Sequence, residues 1–334
     1  MLDIDYLNEK NIEKNEELFT ESDLEYPDII EDGEYLLDEN GNRVGTKGDR
    51  NAKVIMDKIL KEGCWDKNPR THYIDGSKAY TLSLNNKVNW TYDLSKKESP
   101  ILTLRPIAVK SGIKEIFWIY QDQNTDLNLL KNKYGITWWD SWALKDQNGN
   151  NLHTIGSTYG NIIYDYDQID DLINGLKNNP DGRRHIIDMW QFESFKKPHG
   201  LKPCAYSTVW NVRHGRDGID YLDMKLIQRS SDFMVAGSIN QIQYIALQEM
   251  IAKCTGYTPG TFTWDVQNIQ IYDRHIKNAI EELRRKPIDS KPYLVVDSKE
   301  SDFYKLKPED IVLKDYPREK IKEKNPQQHF DLGI

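Results

Sequence analysis

Between residues 185 and 285, strand-like and helix-like runs follow one another without the regular βαβ alternation that a doubly wound parallel sheet requires. Four runs read as strands, at 185–191, 205–213, 220–229 and 261–271. A helix is expected over 238–254, with Ile242, Ile245, Ala246 and Met250 apolar and Ser238 with Gln241 forming an S-x-x-Q capping box. Another helix should run from about 272 to 285. This pattern limits the chain to an α+β fold, with helices packed on one side of a mixed, mainly antiparallel sheet.

Upstream, NAKVIMDKILKE (51–62) puts Val54, Ile55, Ile59 and Leu60 on one helical face. Segment 78–91 alternates as a strand does. Residues 107–120 read as a buried helix, with Ile113, Ile116, Phe117 and Tyr120 at i, i+3, i+4 and i+7. A polar, aromatic loop region is expected up to about 166. An amphipathic helix then starts at Asp167 and stops before Asn179-Pro180. No internal repeat is visible. Residues 1–48 are charge-rich, with a turn signal at DENGN (38–42) and no apolar period. They read as an acidic extension ahead of a catalytic domain spanning 49–334.

Charge supports that division. Of the net −8, residues 1–50 carry −11 and the other 284 carry +3. A mildly basic body suits a small anionic ligand and calls for no obligatory nucleic acid. No apolar run approaches a membrane span and no signal-peptide core is present, so the expectation is a soluble, cytoplasmic protein. Three cysteines and seven histidines without ligand spacing predict no metal.

The chemistry concentrates in residues 201–240. Cys204 opens one expected strand, Arg229-Ser230 closes the next, and Asn240 lies in the first turn of a helix. From the residues alone Cys204 is either a small buried hydrophobe or a nucleophile that needs a nearby cation, and Arg229 can be that cation. Arg70, Arg183 and Arg184 are ordinary surface cations one at a time. Together with Arg229 and Ser230 they suit a phosphate dianion. Glu115, inside IKEIFWIY, is either a partnered edge residue or a carboxyl of raised pKa that relays protons. The amide of Asn240 can cap a helix end or read a uracil-like edge. Tyr159 in GSTYG has glycines that could expose its hydroxyl, and Gln270 and Tyr272 share one strand face. Trp138, Trp139 and Trp142, in ITWWDSWA, are core or interface residues as readily as ligand stackers.

These motifs, in order, are EGCWDKNPRT, PILTLRP, IKEIFWIY, GITWWDSWA, GSTYGN, NNPDGRRHIIDMW, LKPCAYSTVW, QRSSD, GSINQIQY and IQIYDRH, closed by QQHFDLGI. From about residue 51 onward the chain resembles the thymidylate synthase family. The resemblance implies that family's α+β fold, with the sheet forming a two-fold dimer interface. It also implies reductive methylation of dUMP to dTMP by 5,10-methylenetetrahydrofolate.

Carried over by that likeness, Cys204 is the nucleophile at pyrimidine C6. Arg70, Arg229 and Ser230 hold the phosphate, joined by Arg183 and Arg184 from the partner subunit of a homodimer. Glu115 organises the proton relay, Asn240 reads the base, and Tyr159 helps remove the C5 proton. Asp232, Trp139, Trp142, Gly237 and the Ile334 end of the tail meet the reduced folate, while Gln270 and Tyr272 face the ribose. The chain departs from the family pattern at Ala205, at Gln270 (usually His), at Ala236-Gly237-Ser238-Ile239 and at Gln267-Asn268. Two other readings stand beside the methylase: a dUMP (or dCMP) hydroxymethylase, and a non-catalytic nucleotide- or RNA-binding relative.

Overall fold

The computed structural model describes residues 18–24 and 44–334. Seven strands build the main sheet: β1 (Cys64–Trp65), β2 (Thr81–Asp93), β3 (His185–Asp188), β4 (Ala205–His214), β5 (Asp220–Gln228), β6 (Ser231–Asp232) and β7 (Thr258–Tyr272). They lie in the order β1-β2-β7-β5-β4-β3, with the short β6 also paired to β7. The principal helices are α1 (Lys47–Glu62), α2 (Val109–Ile116), α3 (Gly160–Asp165), α4 (Gln168–Asn178), α5 (Ser238–Thr255) and α6 (Ile276–Arg284).

All neighbours in the sheet run antiparallel except β5 and β6 against β7, which are parallel. A parallel pair needs a crossover, and α5 supplies it. This single βαβ passage places residues 229–240 at the carboxyl end of β5, where ligands of such units bind. Period-two alternation turns Trp210, Met224, Leu226, Phe262, Trp264 and Val266 toward the helices, each 2% exposed or less. Against that face lies α5, buried on nearly every side and accordingly apolar around most of its circumference. Its buried Gln248 donates to the carbonyls of Leu222 and Thr261, at 2.8 and 3.2 Å, beside the register shift between Leu222 and Met224.

Several expectations need correction. There is no capping box at Ser238 and Gln241. The chain is already helical there, entering through a π turn at Phe233–Gly237 whose first N–H groups are capped by Asp232, with Val235 N donating to its Oδ1 at 3.2 Å. Gln241 instead donates to the Gly237 carbonyl at 3.1 Å. The true capping box is at α1, where Thr46 and Asp49 bond reciprocally at 2.9 Å, so that helix starts four residues before the expected position. The expected 107–120 helix is α over 109–116 and π over Phe117–Gln121. The stretch expected as loop up to 166 contains α3 and short helical turns. Strand β7 runs on to Tyr272, so the helix expected from 272 begins at 276. A hairpin of β8 (Tyr293–Val296) and β9 (Ile311–Lys314) went unforeseen.

Most of the acidic extension lies outside the described residues. Its 18–24 stretch touches the body: Phe19 is buried with the core, and Arg284 reaches the Asp23 carbonyl at 3.2 Å.

Candidate active site

Two cavities meet at the carboxyl end of β5. The larger, about 440 Å³, is the more polar of the two and is bordered by Arg70, Arg229, Ser230, Asp232, Gln270 and Tyr272. The smaller, about 200 Å³, is bordered by Glu115, Tyr159 and the indoles of Trp138, Trp139 and Trp142. Cys204 and Asn240 border both.

Strand pairing explains how residues 25 positions apart come together. The N–H of Arg229 donates to the Cys204 carbonyl at 3.0 Å, extending the β4–β5 ladder by one rung past a register shift between Ala205 and Ser207. The Arg229 guanidinium is then fixed by the carbonyls of Pro203 (3.0 Å) and Lys202 (2.9 Å), and Nη2 stands 3.5 Å from Cys204 Sγ. Burial pushes the thiol pKa up, against the pull of Arg229 and, less strongly, Arg70. The backbone N–H of Cys204 donates to the Tyr159 hydroxyl at 3.2 Å. Tyr159 has φ +41°, and Gly160 after it packs so tightly on Asn124 that a Cβ would fall 2.4 Å from the Asn124 carbonyl oxygen. The glycine is therefore required by that close approach, and the turn holds the hydroxyl at the thiol's backbone.

In the apolar half, Glu115 is 6% exposed. Burial raises its carboxyl to about 7, against hydrogen bonds from Gln243 and Trp138. Asn240 is bracketed by two glutamines: its Nδ2 donates to Gln243 Oε1 at 2.9 Å, and its Oδ1 accepts from Gln228 Nε2 at 3.2 Å. In the polar half, Ser230 and Gln270 are hydrogen-bonded side chain to side chain. Burial also raises the pKa of Asp232.

The chain's last residues close one wall. Ile334 exchanges both backbone hydrogen bonds with His72, at 2.9 and 3.0 Å, and residues 332–334 border the larger cavity. Gly333 fits against the Tyr272 ring, where a Cβ would lie 2.5 Å from a ring carbon. Arg274 pairs with Asp331 at 3.0 Å, and the buried His275 bonds the Asp331 carbonyl through Nε2 at 2.7 Å.

Of the residues singled out from sequence, Cys204, Glu115, Tyr159, Arg229, Asp232, Asn240, Arg70, Ser230, Gln270, Tyr272, Trp139, Trp142 and Ile334 line one cavity or both. Gly237 lines neither; it is buried inside the π turn against the Phe233 ring. Arg183 and Arg184 are exposed at the start of β3 and line neither cavity. Sequence reading passed over Gln228, Gln243 and His275. The first two stand inside QRSSD and GSINQIQY, where nothing but three-dimensional contact separates them from ordinary polar residues. His275 is 1% exposed, with its Nδ1 4.0 Å from Asp232 Oδ1. Among the described residues no group of three or more His, Cys, Asp or Glu side chains could hold a metal, and no helix is long and apolar enough to cross a membrane.

A thiol against a guanidinium, beside a buried acid and an amide held between two glutamines, is an arrangement suited to nucleophilic chemistry through sulfur. The profile of the thymidylate synthase family matches residues 52–325. The thymidylate synthases of Streptococcus thermophilus and Streptococcus gordonii are 43% and 44% identical to the chain over 292 and 290 residues, in each case 86% of this chain and the whole of the relative. Among solved structures, thermostable thymidylate synthase A from Bacillus subtilis superposes with a TM-score of 0.74 at 32% identity, covering 86% of this chain and 99% of that one. The chain belongs to the thymidylate synthase family, and it is a methyltransferase.

Proposed function

We propose that the chain converts dUMP to dTMP with 5,10-methylenetetrahydrofolate as co-substrate, through a transient bond between Cys204 Sγ and C6 of the pyrimidine. The observation that carries this reading is the position of Cys204, 3.5 Å from the Arg229 guanidinium and shared by a polar and an apolar cavity. The polar cavity suits a nucleotide: Arg70, Arg229 and Ser230 meet the phosphate, and Gln270 and Tyr272 meet the sugar. The apolar cavity, walled by Trp138, Trp139, Trp142 and Leu332, suits a flat ring system, and the folate, when bound, supplies the one-carbon unit and the hydride.

Uracil C5 is a poor nucleophile until sulfur adds at C6, so the thiol must be deprotonated at the moment of attack. Arg229 stabilises that thiolate. Asn240 holds N3 and O4 of the ring as charge develops at O4, and Glu115 moves protons on the same side. Tyr159 positions the base or water that takes the C5 proton. Asp232 and the tail at Ile334 shut the folate side against water.

The site works as part of a homodimer in this reading, with Arg183 and Arg184 reaching the partner's phosphate. Three features support this: both arginines are exposed, they lie just before Ile186, which is 48% exposed on an edge strand, and Phe192 further along is 73% exposed. Residues 49–334 form the catalytic body and residues 1–48 an acidic extension to it. Incubation with 5-fluoro-dUMP and methylenetetrahydrofolate should leave a ternary adduct on the peptide containing Cys204, seen by mass spectrometry. With dUMP, absorbance of dihydrofolate should rise with turnover. An enzyme that forms product without dihydrofolate is a hydroxymethylase, and one that forms no adduct is a binder.

A further inference from the structure

His275 is 1% exposed, and its two nitrogens face different parts of the cleft. Nε2 lies 2.7 Å from the Asp331 carbonyl, an oxygen that can only accept, so Nε2 carries a hydrogen. In the neutral ring that leaves Nδ1 bare, a buried nitrogen with no hydrogen-bond partner. It stands 4.0 Å from Asp232 Oδ1, about 1 Å beyond a hydrogen bond and too close for a water in line between them. The Tyr272 and Phe330 rings pack edge-on against the imidazole, with centroids 5.7 and 5.3 Å away, and hold it in this orientation.

Burial makes a charge on Asp232 costly and raises its pKa. The other charged or titratable groups around the pair offset little of that. The Arg105 guanidinium is spent on Glu282, at 3.1 Å, and on the Met234 carbonyl, at 2.5 Å. Burial pushes the Tyr272 hydroxyl up to about 12, so it stays neutral. The Asp331 carboxylate is turned to Arg274 and His329, at 3.0 and 3.3 Å. Among these groups Nδ1 alone can take a proton from Asp232.

We propose that His275 is a positioning residue for Asp232: the two share one proton, which crosses to Nδ1 when the carboxylate must accept hydrogen bonds from the folate ring. The inference rests on the reading above, in which Asp232 meets the folate. The ring of a reduced folate presents an amide N–H and an amino group, both donors, and a protonated carboxyl matches them poorly. When the proton crosses, the O–H bond of Asp232 breaks and an Nδ1–H bond forms. Asp232 becomes an anion and the imidazole a cation beside it, and no proton is exchanged with solvent. The Asp331 carbonyl makes this possible. By holding a hydrogen on Nε2 it keeps Nδ1 free to receive the proton, so the docked tail prepares the group that meets the folate.

The test is calorimetry of dihydrofolate, which has no methylene to transfer, binding to the intact protein saturated with dUMP. Thermal melts verify folding. Titrations at pH 6 in buffers of different ionisation enthalpy count the protons released. The wild type should release almost none, because the proton stays within the pair. His275→Gln keeps a donor for the Asp331 carbonyl but has no base at Nδ1, so Asp232 must give its proton to solvent. Dihydrofolate should then bind at least roughly tenfold more weakly than to the wild type at pH 6, and within roughly threefold of it by pH 8.5. Affinity for dUMP should not change. Release of about one proton by the wild type overturns the proposal, and that measurement needs no variant to fold. So does a His275→Gln protein that binds dihydrofolate as the wild type does, or more weakly by the same factor at every pH, since the imidazole then only packs. Asp232→Asn separates the two levels of the argument. If it weakens binding at every pH while His275→Gln keeps the wild-type profile, the shared proton is refuted and Asp232 still meets the folate. If Asp232→Asn leaves the affinity unchanged, both ideas fall together.

Discussion

In both halves of the cleft burial raises the pKa of an ionisable group, and the halves differ in what opposes that rise. In the polar half Cys204 is half-buried, within 3.5 Å of a guanidinium that is tied to backbone carbonyls, so a cation is present before any substrate arrives. In the apolar half Glu115 is buried among indoles with neutral donors only, and its carboxyl rises to about 7. In the first, the guanidinium offsets part of what burial would cost a charge on sulfur; in the second, no cation does so and a proton stays on oxygen close to neutral pH. One fold therefore supplies both an anion-stabilising site and a proton store, and Asn240 stands on the line where they meet.

The comparison is broken most directly at the sulfur. Cys204→Ser replaces a group that can ionise near the arginine with a hydroxyl that cannot, and turnover should fall at least about a thousandfold. Because Cys204 sits at a cavity wall, the variant should melt with the wild type and still bind dUMP. Loss of the fold with the activity would mean that Cys204 is a packing residue. On the other side, Glu115→Gln keeps shape and hydrogen bonding but removes the proton. We expect kcat to fall roughly a hundredfold. In the wild type, kcat should decline as pH rises through about 7, where Glu115 gives up its proton, and in the variant that limb should be missing.

How far the sequence showed these halves differs for a physical reason. Cys204, Arg229 and Asn240 were legible because they mark the start of one strand, the end of its neighbour and the turn into a helix, positions that local pattern locates. The strand pairing then does the rest, through a single rung between Arg229 and Cys204. Gln228 and Gln243 were not legible: a buried glutamine and a solvated one look alike until the partners, Trp264 and Glu115, are brought in from distant segments. The false capping box at Ser238 arose because the pattern S-x-x-Q is local, whereas Asp232 caps the helix from six residues further back through an irregular turn. Arg183 and Arg184 show the same limit from the other side. The motif singles them out, but within one chain they reach neither cavity.

The same Glu115 proton has a consequence for stability. Its carboxyl is held near 7 in the fold against 4.5 for the free side chain, so the folded state keeps a proton that the unfolded state releases. Below pH 4.5 both states are protonated and nothing is lost. As pH rises from there to about 7 the folded state loses up to roughly 3 kcal/mol, and above 7 the difference is constant. Glu115→Gln should remove that slope. Denaturant melts between pH 5 and 8 should show the variant gaining on the wild type as pH rises; parallel curves would place Glu115 in a wetter setting.

The smallest effect is expected where the cleft is closed by exposed charge instead of burial. Arg274 holds Asp331 at 3.0 Å, and Asp75 holds the same guanidinium from the other side. Exposed pairs contribute little, and Arg274 keeps one partner when the other is lost. The tail has further anchors in the Ile334–His72 backbone pair and the His275 bond to the Asp331 carbonyl, none of which uses the Asp331 carboxylate. Asp331→Asn should therefore raise KM for the folate by roughly two- to fivefold, leave KM for dUMP and kcat near wild type, and lose even that difference at high salt. A fall in kcat with KM for the folate unchanged would put the carboxylate's contribution in the transition state, and the exposed latch would then belong with the buried machinery of the cleft.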